Sequence, residues 1–168
     1  MPEGGLALTA QWTINSYTLT FDSAGGSAVA NITQDYGFAI VAPADPTLEG
    51  YTFDGWNPAV PATMPEGGLA LTAQWLINSY TLTFDSVGGP AVANITQDYG
   101  TAVVAPADPT RGGYTFAGWN PAVPATMPEG GLALTAQWSI HSYTLPYTSP
   151  NLPTVSTIHH AILSPTPT

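Results

Sequence analysis

The stretch MPEGGLALTAQW at Met64–Trp75 decides how this chain is organised, because the same twelve residues occur three times. The other copies are Met1–Trp12 and Met127–Trp138, and successive copies are 63 residues apart. Residues 13–75 and 76–138 align without a gap and differ at only eight positions. Repetition at a fixed period is the signature of an array of small structural units. The sequence therefore predicts two successive copies of one module.

Incomplete copies flank the two modules. Residues 1–12 are expected to be the C-terminal strand of a truncated preceding repeat, and residues 139–145 the start of a third repeat. The match ends at Pro146, and residues 146–168 form a tail rich in Ser, Thr and Pro that we expect to be disordered. Either a frameshift within the third copy or a genuine linker explains this tail. On either interpretation, the chain is expected to be a piece of a longer array.

Alternation of apolar and polar residues marks the strands of the module. Leu69–Trp75 alternates throughout, and so does Tyr17–Phe21, with a turn at Asp22–Gly26 that supplies glycines for positive φ angles. Tyr51–Trp56 is rich in aromatic residues and predicts a third strand. The alternation of Ala28–Thr33 is imperfect, but this segment is also predicted to be a strand.

The rest of the module is predicted to be loop, with two short exceptions. Phe38–Ala42 is expected to be extended, and Pro46–Glu49 is expected to form one helical turn that ends at Gly50. Asn57–Thr63 contains two prolines and is expected to be a loop. The apolar positions change phase between the modules, which requires an irregularity at Asn78-Ser79. Such a short junction predicts closely coupled modules.

Charge limits the classes of partner. The chain has a formal net charge of −10, one arginine (Arg111) and no lysine. Because phosphate groups are bound through basic residues, we predict that the chain does not bind nucleic acid. No apolar run is long enough to span a bilayer, so no membrane insertion is expected. The chain also has no cysteine, which excludes disulfides and thiolate metal sites.

Residues suited to catalysis are scarce. The two modules contain no His, Lys or Cys, and His141, His159 and His160 all follow them. Carboxylates remain, but Asp22 precedes a Gly-rich turn, where Asp normally supports the backbone, and Asp54 is replaced by Ala117 in the second copy. The sequence therefore predicts no enzyme activity, no catalytic residues, no metal site and no cofactor.

The aromatic residues have two interpretations. Tyr51 and Trp56, with their counterparts Tyr114 and Trp119, are candidate contacts for a protein or glycan partner. Alternatively, they are the large core residues that a 63-residue module needs for stability, which is the interpretation we favour.

Three motifs in a fixed order resemble a known family. They are GYTFDGW at Gly50–Trp56 (GYTFAGW at Gly113–Trp119), the run ending in LALTAQW, and SYTLTFDS followed by a Gly-Gly turn. Residues 1–145 are similar to the internalin B-repeat, or Listeria–Bacteroides repeat. The resemblance implies an α+β, mostly β fold of tandem small ubiquitin-like β-grasp modules, without catalytic residues. The lack of lysine departs from the usual family pattern.

The same resemblance implies arrays on extracellular or cell-envelope proteins of bacteria. We therefore expect a non-catalytic repeat module that acts as a stalk or spacer, with a protein-interaction or adhesion role. The alternative is a carbohydrate-binding module that uses exposed Trp and Tyr side chains. The protein or glycan partner itself is not predicted.

Overall fold

The computed structural model describes residues 7–144 and Thr157–Ile158, and the chain divides between Asn78 and Ser79 into two compact units. Each unit contains one four-stranded sheet. The described residues contain strands, turns and irregular segments but no helix. In particular, none of them forms a long apolar helix of the kind that crosses a bilayer.

The first unit has a mixed sheet in which the first and last strands lie side by side. The strand order is β2-β1-β4-β3, with β1 and β4 parallel and the two outer pairs antiparallel. A bulge between Phe53 and Trp56 shifts the register of β3 against β4. The strands are β1 (Ser16–Asp22), β2 (Ile32–Asp35), β3 (Tyr51–Asn57) and β4 (Leu69–Ile77).

The second unit repeats this sheet in the order β6-β5-β8-β7, with β5 and β8 parallel. Its strands are β5 (Ser79–Asp85), β6 (Ile95–Asp98), β7 (Tyr114–Asn120) and β8 (Leu132–Ile140). A further antiparallel pair follows, made by β9 (Tyr143–Thr144) and β10 (Thr157–Ile158).

Each unit is built around three fully buried side chains. In the first unit these are Leu19 of β1, Leu71 of β4 and Met64, which precedes β4. Burying a large apolar side chain contributes about 1.5–3 kcal/mol. Leu82, Met127 and Leu134 occupy the same places in the second unit. The partly buried residues that surround the first core are Tyr17, Phe21, Ile32, Ile40, Trp56, Val60 and Leu69.

A loop pairing brings Met64 to this core. The Met64 amide donates to the Phe38 carbonyl at 2.8 Å, and the Gly37 amide donates to the Met64 carbonyl at 2.9 Å. The segment expected to be extended, Phe38–Ala42, therefore pairs with the end of the 57–63 loop, although only an isolated bridge between Ala39 and Thr63 results.

The mostly β description from the sequence is confirmed, but two local predictions are wrong. The second strand is Ile32–Asp35 rather than Ala28–Thr33, because its register is set by pairing with β1, where Ile32 lies opposite Leu19. The helical turn predicted at Pro46–Glu49 is absent. Thr47 instead accepts a hydrogen bond from the Ser27 amide at 2.8 Å, so its carbonyl serves a tertiary contact.

The ends of the chain differ from the expectation in one respect. Residues 7–12, predicted to be part of a strand, form none, and Leu8 and Trp12 are exposed. Among the described residues, β4 and β8, which contain the equivalent segments, each pair with a strand on both sides, whereas residues 7–12 belong to no sheet. Of the predicted tail at 146–168, all but Thr157–Ile158 lies outside the described residues.

One glycine of the repeated motif lies against the neighbouring strand. Gly68 has a φ of +74°, and a Cβ atom placed on it would lie 2.2 Å from the Thr18 carbonyl oxygen. Gly131 stands in the same relation to Thr81. Gly67, one residue earlier, also has a positive φ of +80°, but a Cβ atom added there would meet nothing within 4 Å. The close approach of β1 to the start of β4 therefore requires glycine at one position of the Gly-Gly pair.

We predict that Gly68→Ala combined with Gly131→Ala destabilises the chain far more than Gly67→Ala combined with Gly130→Ala. The second pair adds only the left-handed backbone strain, about 1–2 kcal/mol per residue. The first pair adds a backbone clash at each site, and we expect a loss above about 3 kcal/mol per module. Chemical denaturation measures both, and equal losses would contradict the close approach.

Candidate functional site

The aromatic residues of each module form one connected cluster. Trp56 contacts Phe21 and Phe53 edge to face, with ring centroids 4.9 and 5.4 Å apart. Phe53 also contacts Trp75 at 5.5 Å. Edge-to-face pairs at such distances add about 0.5–1.5 kcal/mol beyond the burial of their area. Phe84, Phe116, Trp119 and Trp138 repeat this cluster in the second unit.

The cluster holds the Gly-rich turn against the end of the sheet. The Trp75 indole Nε1 donates to the Ser23 carbonyl at 3.0 Å, and Trp138 donates to Ser86 at 2.9 Å. The ring lies so close to Gly26 that an added Cβ would be 2.5 Å from Trp75 Cζ2. Both the indole nitrogen and the six-membered ring of this tryptophan are therefore committed to internal contacts.

Trp56 and Trp119, two of the four candidate ligand contacts, pack towards the cores. Trp56 borders the buried Leu19, Met64 and Leu71, and Trp119 borders the equivalent residues. The Trp119 Nε1 atom is buried and meets no acceptor in the described part of the chain. Each of the two rings is partly exposed, and its packing on the core reduces the area available for stacking against a sugar.

Tyr51 and Tyr114, the other two candidates, differ between the modules. Tyr51 is 36% exposed at the start of β3. The Arg111 guanidinium lies over the Tyr114 ring, 4.0 Å from its centroid, where the first module has Leu48. A cation over a tyrosine face is attracted to the ring. It also covers that face, so the two modules present different surfaces here.

Asp22, which was considered as a possible acid–base group, and its counterpart Asp85 have structural partners. Asp22 Oδ1 accepts from the Ala24 amide at 2.9 Å, and Asp85 does the same for Val87. Ala24 and Val87 have positive φ angles of 48° and 47°, so this bond supports a turn that non-glycine residues seldom adopt. Within the described residues, no three His, Cys, Asp or Glu side chains gather in a way that could hold a metal ion.

A groove in the first unit was not anticipated from the sequence. It encloses about 280 Å³ and is lined by Thr13, Ile14, Asn15, Tyr17, Tyr36 and Glu66. The Tyr17 and Tyr36 rings meet edge to face at 6.4 Å. Tyr17, Tyr36 and Glu66, the aromatic and charged residues of the lining, come from separate parts of the module. No local sequence motif therefore predicts the groove. The only indication in the sequence is that these two tyrosines and the glutamate occur in both copies.

A family model for the Listeria-Bacteroides repeat domain matches residues 17–64 and 80–129, which together are more than half of the chain. The chain belongs to the Listeria-Bacteroides repeat family. The resemblance found in the sequence motifs is thereby confirmed. The two matched segments fall one in each compact unit, so each unit carries one copy of the family's domain.

The relatives of this chain are larger proteins, and it matches only a part of each. Internalin H of Listeria monocytogenes is 35% identical over 142 residues, which cover 74% of this chain and 25% of that protein. A putative Gly-rich membrane protein of Evansella cellulosilytica is 33% identical over 160 residues, with coverages of 86% and 18%. A putative membrane protein of the same organism is 34% identical over 159 residues, with coverages of 84% and 24%.

The chain thus spans about a fifth to a quarter of the length of the curated relatives it matches. No solved structure matches it.

The placement of the tryptophans leads to a prediction for fluorescence. Trp12 is 90% exposed, whereas the other four are partly buried in the two clusters. We expect Trp12→Phe to remove the long-wavelength part of the emission and most of the quenching by acrylamide. Trp56→Phe serves as the control and should leave that exposed component in place. Strong quenching that survives Trp12→Phe would show that the cluster rings are open to solvent.

Proposed function

We propose that the chain is a non-catalytic pair of repeat modules from a bacterial cell-envelope or cell-surface protein, extracellular in its location. In this role the array is a stalk or spacer that projects other parts of the protein, and it offers repeated surfaces for protein interaction or adhesion. The proposal is supported by the family match in both modules and by relatives described as membrane proteins and as an internalin.

The junction between the modules is the observation that carries the spacer role. Only Asn78 separates β4, which ends at Ile77, from β5, which begins at Ser79. Asn78 is also bound to its own module. Its amide donates to the Gly50 carbonyl at 2.9 Å, and its Oδ1 accepts from the Thr52 hydroxyl at 2.7 Å. Because no flexible linker residues separate the two strands, we expect an array of limited flexibility rather than one of independently moving modules.

The same junction recurs after the second module with a different side chain. The His141 amide donates to the Gly113 carbonyl at 2.8 Å, and the His141 Nε2 and Thr115 hydroxyl are 2.8 Å apart. The repeating unit is therefore proposed as residues 13–75 and 76–138, each closed by an anchored residue at the start of the next copy.

We also propose that each module is a β-grasp variant whose crossover segment is not helical. The support is the strand order β2-β1-β4-β3 with a parallel central pair, which is the arrangement expected of a β-grasp sheet. In the described residues the position of the expected helix is taken by the irregular segment between β2 and β3.

Small-angle X-ray scattering of arrays with increasing numbers of modules tests the spacer role. We expect the maximum dimension to rise linearly with module number. A Gly-Ser insertion between Asn78 and Ser79 should reduce the rise towards the square-root growth of flexible chains. Asn78→Ala, which removes the side-chain bond to Thr52 and keeps the backbone bond to Gly50, is the milder matched variant. Square-root growth without any insertion would argue against a spacer.

Carbohydrate binding is the second candidate, and the partly exposed Tyr51 is the observation in its favour. Because the four tryptophans other than Trp12 are held in the clusters, we expect glycans to leave the emission of those four unchanged. Screening the chain against a glycan array, with Tyr51→Ala as the matched variant, tests this. Binding that is lost in Tyr51→Ala would establish a sugar site and displace the expectation.

A further inference from the structure

We propose that the groove beside Tyr17, Tyr36 and Glu66 binds the ammonium group of a lysine side chain from a basic protein partner. The site is proposed in addition to the stalk role, and Asn15 in its lining corresponds to Asn78 of the junction. Its position and composition were not anticipated from the sequence, and three observations on the groove itself support it.

The first observation is the set of side chains that line the groove. Two tyrosine rings meet at 6.4 Å with an interplanar angle of 82°, so they present a face and an edge rather than a closed stack. Tyrosine faces attract ammonium groups through the ring quadrupole. The carboxylate of Glu66 adds an opposite charge to the same groove. Two aromatic rings and a carboxylate are the combination that recognises a cation carried on an alkyl chain.

The second observation is that the site is open. Tyr36 is 54% exposed, and Ile14, which also lines the groove, is exposed to the same extent. The methylene stem of a lysine can lie along such apolar surface while its ammonium reaches the polar end. The remaining lining residues, Thr13 and Asn15, are neutral, so no positive charge lines the groove.

The third observation concerns charge complementarity and the source of the cation. The chain carries a net charge of −10 and contains no lysine, so a second copy has no lysine to offer. Its single arginine, Arg111, lies over Tyr114 in the other unit. A basic partner is also drawn towards an acidic surface before it docks. These facts favour a lysine-bearing partner over self-association.

The second module repeats the tyrosine pair and the glutamate of the groove. Tyr80 and Tyr99 meet edge to face at 6.4 Å and 81°, and Glu129 holds the position of Glu66 in the repeat. The two places are not equivalent, because Tyr99 is less exposed than Tyr36 and because the counterparts of Thr13 and Ile14, which are Leu76 and Ile77, lie in β4.

Nuclear magnetic resonance titration of the full chain with a short peptide of alternating Gly and Lys tests the proposal. We expect shifts concentrated at the amides of Tyr36 and Glu66. The same peptide with acetylated lysines should produce none, because acetylation removes the charge. Binding should weaken as salt is added, since the contact is partly electrostatic and exposed.

Two pairs of substitutions separate the site from general attraction to an acidic chain. Glu66→Gln with Glu129→Gln should weaken the lysine peptide roughly three- to tenfold, as expected for the loss of one charge contact. Tyr36→Leu with Tyr99→Leu should weaken it to a similar extent. The second copy itself supplies the controls, because Asp54 is Ala117 and Phe38 is Thr101 there. Asp54→Ala and Phe38→Thr should each have less than about a twofold effect on the same scale.

Several results would overturn the proposal. An equal loss in Asp54→Ala would show unspecific attraction, and unchanged binding of the acetylated peptide would show that the ammonium is not read. Shifts at the groove with choline but not with the lysine peptide would assign the site to a small quaternary ammonium compound instead. Thermal unfolding of each variant confirms that it is folded, and the Glu→Gln pair keeps the test valid if Tyr36→Leu unfolds.

Discussion

The parallel pairing of β1 with β4 is the constraint on which the rest of each module depends. Parallel neighbours cannot be joined by a tight turn, so the chain between them must travel away and return. Here residues 23–68 form this connection, and they include both outer strands and the loop that places Met64 in the core. The return is possible only because Gly68 lies directly against the Thr18 carbonyl. The repeated motif is thus the point at which the module closes.

How much of this could be read from the sequence depended on whether a feature is local. The strands β1 and β4 were predictable, because their two-residue alternation reflects the burial of one face. The position of β2 was not, because pairing with Leu19 rather than its own pattern sets its register. The prediction of a helical turn at Pro46–Glu49 was wrong for a similar reason. Local capping signals were present, but the Thr47 backbone is used by Ser27, which lies far away in the sequence.

The residues of the candidate site could also be predicted only where their position depends on local sequence. That Trp56 is a large apolar residue was visible, but its direction depends on the bulge before it, where Gly55 has a φ of +104°. The covering of Tyr114 by Arg111 depends on a loop returning to β7. The groove combines Tyr17, Tyr36 and Glu66 from three segments, and only the folded sheet brings them together. Sequence patterns indicated which residues were available but not which of them meet.

The differences between the two copies show where the module tolerates change. None of the eight differing positions is among the fully buried Leu and Met residues. Ala24 becomes Val87 at nearly the same positive φ, although a branched side chain is unfavourable there. The turn survives because the aspartate and tryptophan contacts that hold it are unchanged. The frame is therefore fixed by a few internal contacts, while turns and loops can alter the surface.

This separation between frame and surface bears on how an array would acquire a partner. Every added module brings the same internal contacts, and with them the same tyrosine pair at the same place on the sheet. What differs from one place to the next is the lining beside the pair, where Thr13 and Ile14 correspond to Leu76 and Ile77 of β4. Since Leu48 and Arg111 already differ between adjacent copies, individual modules can also vary their charge without loss of the frame. A repeated spacer of this construction is physically suited to become a multivalent binding surface, because Tyr17 packs on the core while Tyr36, its partner in the pair, is exposed.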